Sequence, residues 1–322
     1  MVVASEFVFP TSFAQKRFWF LHQLNPDSSL YNVPIALELR GPLDTTVLSK
    51  AFEAIIERHE PLRTIFRLED GELVQIVAED VHPESQMEIV DLKDFSFDEA
   101  DRRARDSIAK EVARPFNLSH GPVVRGRLMR LTSSRHYLLI MMHHIVADVQ
   151  SCGVLLRELS AICQALHEGR EFGLAPLELQ YGDYAVWQRD TVNSERFEKC
   201  LAYWRNQLRP PIPILSLPYD RPRPSVQSFN GASLTLMVPD AVSAALIELC
   251  RRRRVTLFAA ALAAYTVLLH RQTGQIDLLI GTPIANRSLH QLEPLIGLFL
   301  NTVVLRTKLD PEQPFAALLA SC

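Results

Sequence analysis

The sequence is poor in the features that staple a chain, bind nucleic acid or cross a membrane. Its five cysteines (Cys152, Cys163, Cys200, Cys250 and Cys322) are widely spaced, odd in number and contain no CxxC pair. Neither a disulfide framework nor a zinc site is indicated, and a reducing, cytoplasmic setting is expected. There is no basic surplus: 34 Lys+Arg stand against 37 Asp+Glu, a net charge of −3. Binding to a phosphate backbone needs that surplus, so nucleic acid is not an expected partner. The one basic run, Arg251 to Arg254, adjoins an apolar helical segment and reads as a solvated helix end. The longest uncharged apolar run, Val255 to Leu269, is too short to span a bilayer, and the start MVVASEFVFP lacks a basic leader. Neither membrane association nor export is expected.

What is present suits a large globular α/β protein. The 322 residues are 48% hydrophobic, which gives core material for about two domains of ordinary size. FAQKRFWFLHQL has helical spacing, and Asp44 caps a second helix whose Leu48, Phe52, Ile55 and Ile56 share one face. TIFRLEDGELVQIV predicts two strands about an Asp70-Gly71 turn, and residues 99 to 114 read as helix. Tyr137 to Met142 is a continuous apolar run, the mark of a strand buried on both faces, and the Leu155 to Leu166 stripe predicts a helix after it. Gly169 and Gly173 stand close together and residues 170 to 180 show little periodicity, so the division falls there: residues 1–175 in one lobe, 176–322 in a second. In the second, Tyr181 to Leu208 is a long amphipathic stretch, and PPIPILSLPYDRPRP is extended, with six prolines in fifteen residues. SLTLMV, QIDLLIGTP and LNTVVLRTKL read as strands, and 240 to 253 and 256 to 270 as helices. The chain ends inside the apolar helical start FAALLASC, from which an incomplete second lobe is expected.

The chemistry concentrates at M-M-H-H-I-V-A-D-V, where His143, His144 and Asp148 follow the buried strand. Successive residues of a strand face opposite ways, so only one of the two histidines addresses a given cavity. Asp148, past the strand end, is placed to brace the loop against an arginine. The cluster has too few ligands for a metal. His22, His59, His82, His120, His136, His167, His270 and His290 show no clustering in the sequence, and Trp19, Trp187 and Trp204 read as packing residues.

HHIVADVQSCGVLLREL resembles the active-site motif of nonribosomal peptide synthetase condensation domains, in the chloramphenicol-acetyltransferase-like superfamily. Five further segments resemble the same family in order: Ser12 to Leu24, Arg58 to Phe66, Tyr181 to Asp190, Ile280 to Arg287 and Ile296 to Thr302. The family's last motif, a His-Gln-Asp-x-Pro-Phe-Glu-like segment, is missing. The resemblance implies two α/β lobes in a V, with donor and acceptor peptidyl carrier domains arriving from opposite sides. Each would present its substrate on a phosphopantetheine arm, with an adenylation domain adjacent and no directly bound cofactor. It assigns His144 as catalytic, His143 as supporting and Asp148 as structural, with Arg63 or Arg287 as the aspartate's partner.

One position departs from the pattern: the family has Asp-Gly where this chain has Asp148-Val149. Glycine at a turn supplies a positive φ or a close backbone approach, and valine is poor at both. Reduced condensation activity is therefore expected if either is needed. Two other functions stand beside condensation: a catalytically impaired remnant or carrier-binding interaction module, and a free-standing acyltransferase using coenzyme A thioesters.

Overall fold

The computed structural model describes residues 7–79, 87–192, 194–229 and 231–321. His82 and Cys322 lie outside the described residues. Two compact units divide the chain, one formed by residues 1–194 with 285–301, the other by 195–284 with 302–322.

The first unit starts with strand β1 (Phe7–Pro10) and helix α1 (Phe13–Leu24). Ser12 and Gln15 cap α1 reciprocally: the Ser12 hydroxyl accepts from the Gln15 N–H, and Gln15 Oε1 accepts from the Ser12 N–H. After β2 (Asn32–Arg40), helix α2 (Thr45–Arg58) begins where the Asp44 carboxylate accepts from the N–H groups of Thr46 and Val47. Strands β3 (Thr64–Glu69) and β4 (Glu72–Val77) form the hairpin. Its turn residues Asp70 and Gly71 have φ of 49° and 82°, the left-handed pair of a two-residue turn that matches strand twist. β4 lies between β1 and β3 in a three-stranded sheet.

A four-stranded sheet follows, in the order β2, β7 (Arg135–His143), β6 (Val124–Arg130), β5 (Met87–Asp91), antiparallel except for β5 against β6. β7 is central, as its apolar run predicts, and its two faces feed two different cores. Leu138, Ile140 and Met142 pack with α2 and with α4 (Val149–His167), while Leu139 and Met141 pack with α1, α3 (Phe97–Ala113) and α5 (Tyr181–Thr191). Gly126 on β6 allows the α2 side to come close, since a Cβ there would sit 2.8 Å from the Phe52 ring.

The second unit holds α6 (Glu195–Gln207), α7 (Asp240–Arg253), α8 (Leu257–Thr273), the paired strands β8 (Asp277–Ile284) and β9 (Asn301–Lys308), and α9 (Phe315–Ser321). Its core joins Cys250, Ala260, Ala263, Leu309, Leu318 and Leu319. The amphipathic stretch Tyr181 to Leu208 holds two helices, α5 and α6. SLTLMV forms no strand: residues 233–238 have no regular structure and no ladder among the described residues, and Leu234 and Leu236 are 94% and 83% exposed. Alternation there satisfies the pattern but not the hydrogen bonds that make a strand. Among the described residues no helix is long and apolar enough to cross a membrane.

Candidate active site at the end of the central strand

β7 delivers His143 as its last residue, and the chain turns at His144. His143 falls on the same face as Leu139 and Met141 and is buried, whereas His144 is half-buried. The His143 Nδ1 accepts from the Ile145 N–H at 3.0 Å, which leaves Nε2 as the nitrogen bearing hydrogen. Burial pushes its pKa down from 6.5 to about 3, with smaller contributions from His22 and His144, so the ring is neutral. His22 and Phe116 meet it edge-on, with ring centroids 5.6 and 6.0 Å away. His22 is thus not isolated, as its lone place in the sequence suggests, but belongs to the site; desolvation lowers its pKa too.

The His144 backbone N–H donates to the Tyr31 carbonyl at 2.8 Å. Its ring lies against Phe18, centroids 5.0 Å apart, and its Nδ1 is enclosed with no hydrogen-bond partner among the described residues. Nε2 is not among the enclosed side-chain atoms that lack a partner.

Asp148 caps α4 and is buried. Its Oδ1 accepts from the Ser151 N–H at 2.8 Å and from Arg287 Nη2 at 3.1 Å, with Ser151 Oγ 2.7 Å away; its Oδ2 accepts from the Phe299 N–H at 3.1 Å. Arg287 is the partner, then, and Arg63 is not. Arg63 donates to the Ala78 carbonyl and lies 3.9 Å from Glu60. The Arg287 guanidinium also donates to the carbonyls of Leu292 and Leu295 and stacks over Phe299 at 4.1 Å. Burial lowers its pKa while Asp148 pulls it back up. The segment around Phe299 is fixed a second time, because the buried Tyr181 hydroxyl donates to the Leu298 carbonyl and meets Ser12 Oγ at 2.8 Å. A Cβ on Gly297 would lie 2.1 Å from the Tyr181 ring, so only glycine fits. Ser12, Ser151, Tyr181 and Gly297 are site-building residues whose sequence signals were a helix cap and membership of the family-like segments.

Val149 needs no unusual backbone. It is the first residue of α4, is not among the positive-φ residues, and its side chain is 79% exposed. The expectation that valine here strains a left-handed turn is overturned, because position 149 continues a helix capped by Asp148. Among the described residues no group of three or more histidine, cysteine or carboxylate side chains is arranged to hold a metal.

A histidine pair at the end of a central strand, with its aspartate pinned by an arginine distant in sequence, places the chain in the class of mixed α/β proteins. The family within that class follows from comparison with known proteins. A family model described as "Condensation domain" matches residues 5–322, and the chain belongs to that family. It is 42% identical over 318 residues to a linear gramicidin synthase of Brevibacillus parabrevis, covering 99% of this chain and 6% of that protein. It is 39% identical over 311 residues to phosphinothricin tripeptide synthetase PhsC of Streptomyces viridochromogenes, covering 97% of this chain and 28% of the relative. The chain thus spans a small part of these relatives. The X-domain from teicoplanin biosynthesis superposes with a TM-score of 0.81 at 29% identity, covering 97% of this chain and 68% of that one. The first condensation domain of the CDA synthetase, at 22% identity and a TM-score of 0.80 over 98% of this chain and 74% of its own, shares the fold.

Proposed function

We propose that this chain forms amide bonds between two carrier-bound substrates, with His144 as the catalytic residue. The amine of the acceptor attacks the donor thioester carbonyl; the C–N bond forms, the C–S bond breaks, and the departing sulfur leaves as a thiol with the proton the amine gives up. A free α-amine has a pKa of roughly 8, so a good part of it is already nucleophilic at neutral pH. The demand on His144 is then modest: to hold the attacking nitrogen and take its proton through Nε2 as the tetrahedral intermediate forms. His143, neutral and buried, supports the strand end, while Asp148 and Arg287 fix the loop that follows. Donor and acceptor peptidyl carrier domains would deliver the substrates on phosphopantetheine arms, beside an adenylation domain. Membership of the condensation family and the synthetase character of the relatives support this reading.

The observation that carries it is the half-buried His144 ring at the end of a rigidly braced strand, whose Nε2 is not among the enclosed atoms without a partner. His144→Ala, assayed with loaded donor and acceptor carriers, should lower turnover by about 10²–10⁴-fold. A loss below tenfold refutes the assignment. Turnover with coenzyme A thioesters as good as with carriers would instead favour a free-standing acyltransferase. Carrier binding without turnover in the unmutated protein would favour an interaction module.

A further inference from the structure

The geometry points to Phe18 as the residue that orients the His144 imidazole, an inference that rests on the catalytic reading of His144. A histidine that works on a substrate through one ring nitrogen is ordinarily aimed by a hydrogen bond at the other. That device is missing here. The His144 Nδ1 is enclosed and without a partner among the described residues, and the four donors around Asp148 come from Ser151, Arg287 and Phe299, none of them from His144.

Two other contacts fix the ring. The backbone is anchored by the His144 N–H donating to the Tyr31 carbonyl at 2.8 Å. The imidazole is flanked by Phe18 at a centroid distance of 5.0 Å and an interplanar angle of 42°. Phe18 is itself 8% exposed and is met edge-on by the Tyr31 ring at 4.9 Å and 66°. Tyr31 therefore holds His144 through its carbonyl and Phe18 through its ring. Phe18 and His22 stand four residues apart on α1, so one helix face gives His144 the Phe18 ring and His143 the His22 ring. Helix α1 cannot easily shift, because Ser12 caps it and meets the buried Tyr181 hydroxyl. Phe18 is a positioning residue: it does not touch the reacting atoms but sets the direction of the nitrogen that does.

A ring held by packing alone can rotate when its neighbour loses a flat face, without any polar contact being broken. Phe18→Leu keeps the apolar character and most of the volume but removes the ring face. In the intact protein with loaded carriers it should lower kcat by about 10–100-fold, the penalty of a small misplacement, with KM for the acceptor unchanged. An unchanged kcat, or a rise in KM that accounts for the whole loss, overturns the inference. The unmutated chain gives a second measurement that does not depend on the variant folding. NMR should show an NOE between the Phe18 ring protons and the carbon-bound ring protons of His144, together with an upfield ring-current shift of the latter; their absence overturns the contact. His144→Ala separates the two claims. If it leaves turnover intact, the catalytic reading fails; if it abolishes turnover while Phe18→Leu does not lower kcat, only the orienting role fails.

Discussion

Removing the charge of Asp148 tests the site where the structure is most explicit. The carboxylate is buried against Arg287, with side-chain exposures of 3% and 2%, and it accepts from two backbone N–H groups as well. Asp148→Asn keeps the shape but leaves the Arg287 cation buried without its counter-charge, and it turns an amide NH₂ toward groups that are themselves donors. Breaking a buried pair in this way costs about 3–5 kcal/mol. For a folded unit of this size that corresponds to a fall in Tm on the order of 10 °C. Urea denaturation and calorimetry of the single variants, of Arg287→Met and of the double variant provide the measurement. The double should be more stable than the sum of the single losses predicts, by about 1–3 kcal/mol, because removing both charges leaves no orphan. A loss below 1 kcal/mol for Asp148→Asn, or strict additivity, would refute the claim that this pair holds the loop to the segment around Phe299. Arg63 serves as the control: Arg63→Met should show no coupling with Asp148→Asn.

His143 predicts an acid-side dependence of stability. Its folded pKa of about 3 lies below the unfolded value of 6.5, so between those pH values the unfolded chain binds a proton that the folded chain does not. Stability therefore rises with pH across that window, and as pH falls from 6.5 toward 3 up to roughly 5 kcal/mol is withdrawn. His143→Gln should flatten this part of the pH–stability curve measured by denaturant titration, and an unaltered slope would refute the burial of a neutral ring. Val149→Gly should change stability by less than about 1 kcal/mol, since it exchanges two weak helix formers at an exposed first position. A gain of 1–3 kcal/mol, the relief expected from a strained left-handed residue, would contradict the helical backbone there.

The sequence made the local architecture legible wherever a periodic pattern coincided with a cap or a turn. Helices α1, α2 and α4, the Asp70-Gly71 hairpin and the central strand β7 all carry their instructions within a dozen residues. It failed where a local pattern needed a distant partner. The alternation over 233–238 has the period of a strand but no ladder. Trp187, read as packing, does lie against Tyr184 but stays 46% exposed on α5. His22, unremarkable in the sequence, lies against His143 across 121 residues of chain.

For the site, the amino-acid order alone determined that two histidines would emerge at the end of a buried strand, with an aspartate just past it placed to brace the loop. Strand alternation acts over a few residues and needs no global fold. Only the tertiary structure decided that Arg287 rather than Arg63 neutralises Asp148, that residues 285–301 join the first unit, and that Val149 begins a helix. Burial, charge pairing and backbone φ at those positions depend on which distant segments the folded chain brings together, and no local pattern encodes that choice.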